Sequence, residues 1–194
     1  MGFTQLKDFL LKVQQGEVSG YSMVHKFGRN DAVPNGSWAH VSLTPFAITD
    51  FRQSPVSMRI KAGGSGLDTA AGNGAREVTI QGIDSNLAEL SEAVATNGAS
   101  ASTATTATFW RVHRAWVSAV GTYTGANVAA VVIEDSGAGA DFMTIATDEG
   151  QSQYAAWTVP TGKTAYLLSV HVTVDSNKTA NVRCFTRENI DDIA

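Results

Sequence analysis

Cysteine, charge and long apolar runs are all scarce in this sequence. Cys184 is the single cysteine of 194 residues, so no disulfide can form within the chain and stability has to come from packing. No base stands near it in sequence to activate the thiol, and it reads as a small apolar residue facing inward from a strand. Charged residues make up 16% of the chain, with 14 Lys and Arg against 18 Asp and Glu, a net charge of −4. Nucleic-acid binders need a dense positive field, so a nucleic-acid partner is not expected. No stretch approaches the roughly 20 apolar residues of a membrane-spanning helix, and no membrane partner is expected. Lys7, Asp8 and Lys12 interrupt the apolar residues near the start. No secretory signal is read there, and the protein is expected to stay in the compartment where it is made. At 43% hydrophobic, the chain is too apolar for disorder. Its length suits one domain that buries roughly 70% of the surface it exposes when unfolded.

Recognisable chemistry is equally thin. The glycine-rich stretch 63–76, GGSGLDTAAGNGAR, lacks the Lys-Ser or Lys-Thr of a phosphate loop, and Glu77 stands where a dinucleotide fingerprint needs its third glycine. Asp68, Asn73 and Asp84 match no calcium-loop spacing and read as turn-capping side chains. Glu89 and Glu92 resemble a pair of acids only by proximity in sequence. His25, His40, His113 and His171 are far apart and outside any metal-ligand spacing, and no GxSxG nucleophile elbow occurs. These observations assign no catalytic residue, no metal ligand and no cofactor, and the expected protein is not an enzyme.

What the sequence does contain is strand periodicity behind an apolar N-terminal segment. Phe3, Leu6, Phe9, Leu10 and Val13 recur at helical spacing over 3–15, with Thr4 as N-cap and Gly16 just past the end. Residues 17–37 have no period, yet Tyr21, Met23, Val24 and Phe27 are too apolar for a solvated linker. About 20 extended residues reach on the order of 65 Å, enough to cross a neighbouring subunit. The helix packs either on its own domain or on another copy or another protein; on the second reading these nine side chains are the candidate anchoring residues. Alternation then predicts strands at 55–61, 76–82 and 165–175, the last turning through 175–178 into 180–187. Residues 128–133, VAAVVI, suit a central covered strand. In 109–120 the apolar phase breaks, which predicts a bulge near Arg114, with Trp110 and Trp116 in the core and the charges outward. Residues 86–98 carry helical propensity between strand neighbours and are assigned as strand. The run 99–108, ASASTATTAT, is either a flexible loop or an edge strand that pairs with another chain.

Four stretches together are similar to a known group. VHKFGRN (24–30), LDTAAGNGAREVTIQGIDSN (67–86), SEAVATNG (91–98) and VPTGKTAYLLSV (159–170) resemble small virion structural proteins of tailed bacteriophages, capsid-decoration or head-fibre-like. The motifs mark loops and strands rather than chemistry. The resemblance implies an all-β fold: an antiparallel β-sandwich, jelly-roll-like, at 34–194, preceded by a short helix and extended anchoring arm at 1–33. It implies a virion location after assembly in the host cytoplasm. It also implies a homo-oligomer, a trimer by analogy, docked on the major capsid protein or another virion protein. Two other roles fit the same pattern: a tail adaptor or fibre-attachment component, and a carbohydrate-binding module that meets the host surface through Trp110, Trp116 or Trp157.

Overall fold

The computed structural model describes residues 6–44, 54–137 and 139–186. One helix, α1 (Leu6–Gln14), precedes seven strands: β1 (Val56–Ile60), β2 (Ala75–Ile83), β3 (Glu89–Ala95), β4 (Thr108–Phe109), β5 (Arg111–Val120), β6 (Val131–Asp135) and β7 (Asp141–Ile145). They form two antiparallel sheets, ordered β4-β1-β6-β7 and β3-β2-β5. The fold is all-β and sandwich-like with an N-terminal helix.

The alternation that predicts the strands also builds the core. Met58 and Ile60 of β1, Ile133 of β6 and Ile145 of β7 meet Val78 and Ile80 of β2 and Ala115 of β5, and Phe109 fills the space between them. Each of these is at most 5% exposed. Burying a large apolar side chain stabilises by roughly 1.5–3 kcal/mol, so this interlayer is the main source of stability. Of VAAVVI (128–133) only residues 131–133 are strand: β6 lies between β1 and β7 as the central strand, while 128–130 form the segment that enters it. Within 86–98, Glu89–Ala95 form β3 despite the helical propensity of the segment, because seven ladder partners on β2 outweigh a local preference. Across β1 and β6, Arg59 pairs with Glu134 at 2.6 Å.

The low-complexity run is an edge segment, and its partner is in its own chain. Ser102 N and Thr105 N donate to the carbonyls of Ile60 and Met58. The Ser102 and Thr105 hydroxyls accept from the N–H groups of the same two residues. Side-chain oxygens thus stand in for half of a strand ladder.

Helix α1 ends in a Schellman motif. Glu17 N donates to Lys12 O and Gly16 N to Val13 O, with Gly16 at φ 77°. The N-cap expected at Thr4 lies outside the described residues.

One strand expectation is overturned. Residues 165–175 and 180–186 form no strand; position 187 lies outside the described residues. The turn between them is present, with Lys178 N donating to Asp175 O and Asn177 at φ 64°. Among the described residues no strand pairs with the flanking segments, and Tyr166, Leu168, Val170, Val172, Val174 and Val182 are all at least 50% exposed. Cys184, expected to face inward, is exposed for the same reason. Alternation encodes two faces; a strand also needs a neighbour to accept its hydrogen bonds.

Candidate functional site

The bulge predicted near Arg114 falls at His113. Gly82 pairs with Val112 and Gln81 with Arg114, so His113 is the extra residue on β5. An inserted residue re-aims the side chains around it. Here Arg114 and Trp116 face outward from the three-stranded sheet, with the Arg114 guanidinium 5.0 Å from the Trp116 ring centre. His113 is 5% exposed and Arg111 6%, so the expectation that these charges point outward holds for Arg114 and fails for Arg111 and His113, and the expectation of Trp110 and Trp116 in the core fails as well, since both are only half-buried.

The arm lies across this outer face. Lys26 Nζ donates to the carbonyl of His113, and Arg29 meets Glu149 at 2.5 Å. Gly28 presses so closely on Val41 O and Ala155 that a side-chain carbon there would overlap both. Beneath the arm runs a cleft of about 220 Å³. Met23, Val24, His25 and Lys26 form one wall, Gln81, Glu89 and Arg114 line the sheet side, and Trp157 stands beside His113. The Trp157 and His113 ring centres are 6.0 Å apart, and Thr158 N donates to His113 Nε2 at 3.2 Å.

The electrostatics follow from burial. Burial first, then the Arg114 charge, lowers the Lys26 ammonium from 10.5 to about 8. Burial, with the Lys26 and Arg111 charges added, lowers His113 from 6.5 to about 3, so its imidazole is neutral and Nε2 is free to accept. Tyr154, under the Lys26 ammonium, is raised by burial. Between pH 8 and 10.5 the unfolded chain binds more protons at Lys26 than the folded one. Docking of the arm therefore strengthens as pH rises through that window and weakens as it falls. In Lys26→Met this rise should vanish; the measurement is the difference in thermal midpoint between pH 8 and pH 10, followed by tryptophan fluorescence.

The nine candidate anchoring residues divide into groups. Phe3 lies outside the described residues. Leu6 opens α1, and its side chain is likewise outside the description. Phe9 packs edge-on against Tyr21, ring centres 5.4 Å apart, Leu10 is half-buried and Val13 is buried. Met23 and Val24 line the cleft, while Phe27 is exposed. The helix thus folds back on its own arm, and residues 23–30 dock on the sheet.

Other candidate groups separate in space. Glu89 is on the cleft side of β3. The Glu92 carboxylate accepts from Thr106 N and Ala107 N, on the other face, so the two acids share no site. Asp68 is buried and accepts from Ala75 N, Val128 N and Ala129 N, a structural role. Among the described residues no three His, Cys, Asp or Glu side chains gather as metal ligands, and no helix is long and apolar enough to cross a membrane. No protein-family model matches this sequence, and no match was found among curated proteins or solved structures. Lys26, Gln81 and Trp157 enter the cleft without a shared sequence signal, because three distant segments bring them together; the phase break at 109–120 is the one local clue.

Proposed function

We propose that this chain is a structural protein of a tailed-phage virion, a capsid-decoration or head-fibre subunit held to the particle by its N-terminal helix and arm. The observation that supports this reading is the distribution of apolar surface. A small β core is flanked at both ends by extended segments whose large side chains face solvent: Tyr21, Val24, Phe27, Val33 and Trp38 before it, Tyr166 to Phe185 after it. Single exposed apolar residues are ordinary, but contiguous stretches of this kind mark interaction surfaces. The chemistry of the cleft is that of packing and hydrogen bonding, with Lys26 and His113 spent on holding the arm.

Because residues 23–30 dock on the sheet, the truncation that removes the anchor alone ends at Ser22. Deleting residues 1–22 should leave a folded domain that no longer co-sediments with particles lacking the protein. Replacing Leu6, Phe9 and Leu10 together by Ser should weaken retention about tenfold or more, since each buried apolar side chain is worth roughly 1.5–3 kcal/mol before ordering costs. Retention of either variant at the wild-type level would move the attachment site to the β domain.

A second reading, a carbohydrate-binding module, draws on one observation: Trp157 lines a cleft that also presents Arg114, Gln81 and Glu89. An aromatic face beside hydrogen-bonding groups suits a sugar ring. Titration with host-surface polysaccharide should then quench tryptophan fluorescence in the wild type and not in Trp157→Ala; no quenching in the wild type ends this reading.

A further inference from the structure

The dipeptide Asn-Gly occurs three times in this chain, at 35–36, 73–74 and 97–98. Asparagine is a thermolabile residue, and its neighbour decides how fast it is lost. The backbone nitrogen of the next residue can attack the Asn Cγ and close a ring. Glycine favours that attack, because it has no Cβ to crowd the nitrogen and it lets the backbone reach the conformations that closure needs. The backbone N–H has to be free to lose its proton, and the turn has to be free to move. The three copies share one chemistry and differ in what the fold does to these requirements.

Two copies are locked. Gly74 is buried, and its N–H donates to Leu67 O at 2.9 Å. The Asn73 carbonyl accepts from Tyr123 N at 2.7 Å, and a side-chain carbon on Gly74 would overlap the Asp68 carboxylate, so this turn is packed on every side that ring closure would move. Gly98 is also buried, and its N–H donates to Asp68 O at 2.8 Å. The Asn97 side chain is held as well, donating from Nδ2 to Ala101 O at 2.8 Å. Attack at either site requires these bonds to break and the segment to open.

The third copy is open. Residues 31–40 are all exposed, and nothing lies within 4 Å of the point where a Gly36 side chain would begin. Gly36 is at φ 74° in a turn that follows Pro34. Among the described residues neither the Gly36 N–H nor the Asn35 side chain has a hydrogen-bond partner. The other asparagine of this segment, Asn30, is tied down: its Nδ2 donates to His40 O at 2.7 Å and its Oδ1 accepts from Ala32 N at 2.9 Å.

We propose that Asn35 is a site of spontaneous deamidation in the folded protein, with water as the co-reactant, while the fold protects Asn73 and Asn97. The Gly36 nitrogen gives up its proton and bonds to Asn35 Cγ; the Cγ–Nδ2 bond breaks and ammonia leaves. Water then opens the succinimide at one of its two carbonyls, giving aspartate or isoaspartate. The product carries one new negative charge and, as isoaspartate, one more carbon in the main chain. Both changes fall between residues 23–30, which dock on the sheet, and Trp38, whose ring centre is 3.9 Å from the Arg183 guanidinium. Val33 and Trp38, on either side of the site, are both more than half exposed. Conversion therefore alters the arm surface on which the structural-subunit reading draws, and the chemistry itself does not depend on that reading.

The purified full-length chain is incubated at pH 8, one sample folded and one in urea. Trypsin puts the three dipeptides on separate peptides, because Arg29, Arg52, Lys61, Arg76 and Arg111 bound them. Mass spectrometry follows the exchange of ammonia for water, and isoaspartyl methyltransferase labels the isomer. In the folded chain Asn35 should convert about tenfold faster or more than Asn73 and Asn97, because those segments have to open first. In urea the three should convert at comparable rates. Gly36→Ala, which restores a Cβ beside the attacking nitrogen, should slow conversion at Asn35 and leave the other two sites unchanged. Equal rates at the three sites of the folded chain, whether all fast or all slow, overturn the proposal. So does a Gly36→Ala chain that converts at Asn35 as fast as the wild type, because attack by the residue 36 nitrogen would then not be the route.

Discussion

Asp68→Ala should cost about 3–5 kcal/mol and lower the thermal midpoint by roughly 10 °C or more. Asp68 is 3% exposed, and its carboxylate accepts from three backbone N–H groups. Ala75 N at 2.8 Å belongs to the start of β2, and Val128 N and Ala129 N, each at 3.0 Å, belong to the segment entering β6. One side chain therefore ties together the leading ends of strands in different sheets. Its removal leaves donors without an acceptor where water has little access, each costing roughly 1–3 kcal/mol. Asp84 is the control. Its Oδ1 also accepts two N–H groups, from Asn86 and Ala88, but at an exposed turn where water replaces the lost acceptor. Asp84→Ala should cost about 1 kcal/mol or less. Chemical denaturation of the three proteins measures both; equal losses would show that Asp68 acts only as a turn residue.

Acid should be the second large stress. His113 titrates near 3 in the fold against about 6.5 when unfolded, so between those values the unfolded state binds the extra proton. Stability present above pH 6.5 is lost as pH falls toward 3. At about 1.4 kcal/mol per pKa unit, the loss at pH 4 is on the order of 3 kcal/mol. The cause is local: a charged imidazole would be buried beside Lys26 and Arg111, and its Nε2 would cease to accept from Thr158 N. His113→Phe should be less stable than wild type at pH 7, by about 1 kcal/mol for the lost hydrogen bond, and at least as stable at pH 4. Carboxylates titrate in the same window, so the crossing of the two stability profiles is the decisive reading; parallel profiles would place the acid sensitivity elsewhere.

The sandwich was legible wherever one face of a strand is buried. Met58 and Ile60, or Val78 and Ile80, alternate with polar neighbours because the sheet has a wet side and a dry side. The bulge on β5 was legible too, as a break in that phase, though not its result. Nothing local distinguishes a bulge that turns Arg111 and His113 inward from one that leaves them in water. The cleft was not legible: its residues come from the arm, from three strands and from the segment around Trp157, and their proximity is a product of topology.

The tail marks the limit most clearly. Its alternation is the cleanest in the chain, yet it forms no strand here, whereas Glu89–Ala95, with a weaker pattern, does. By itself the sequence determined the two-faced strands, the turns between them, the helix with its glycine stop, and the poverty of charge that leaves apolar surface at both ends. Only the tertiary structure decided which strands find neighbours, that the arm docks on its own sheet, and that Asp68, Lys26 and His113 become buried. The physical reason is that periodicity is a property of one segment read against solvent. Hydrogen-bond partners and desolvation are properties of two segments brought together, and neither is written in either segment alone.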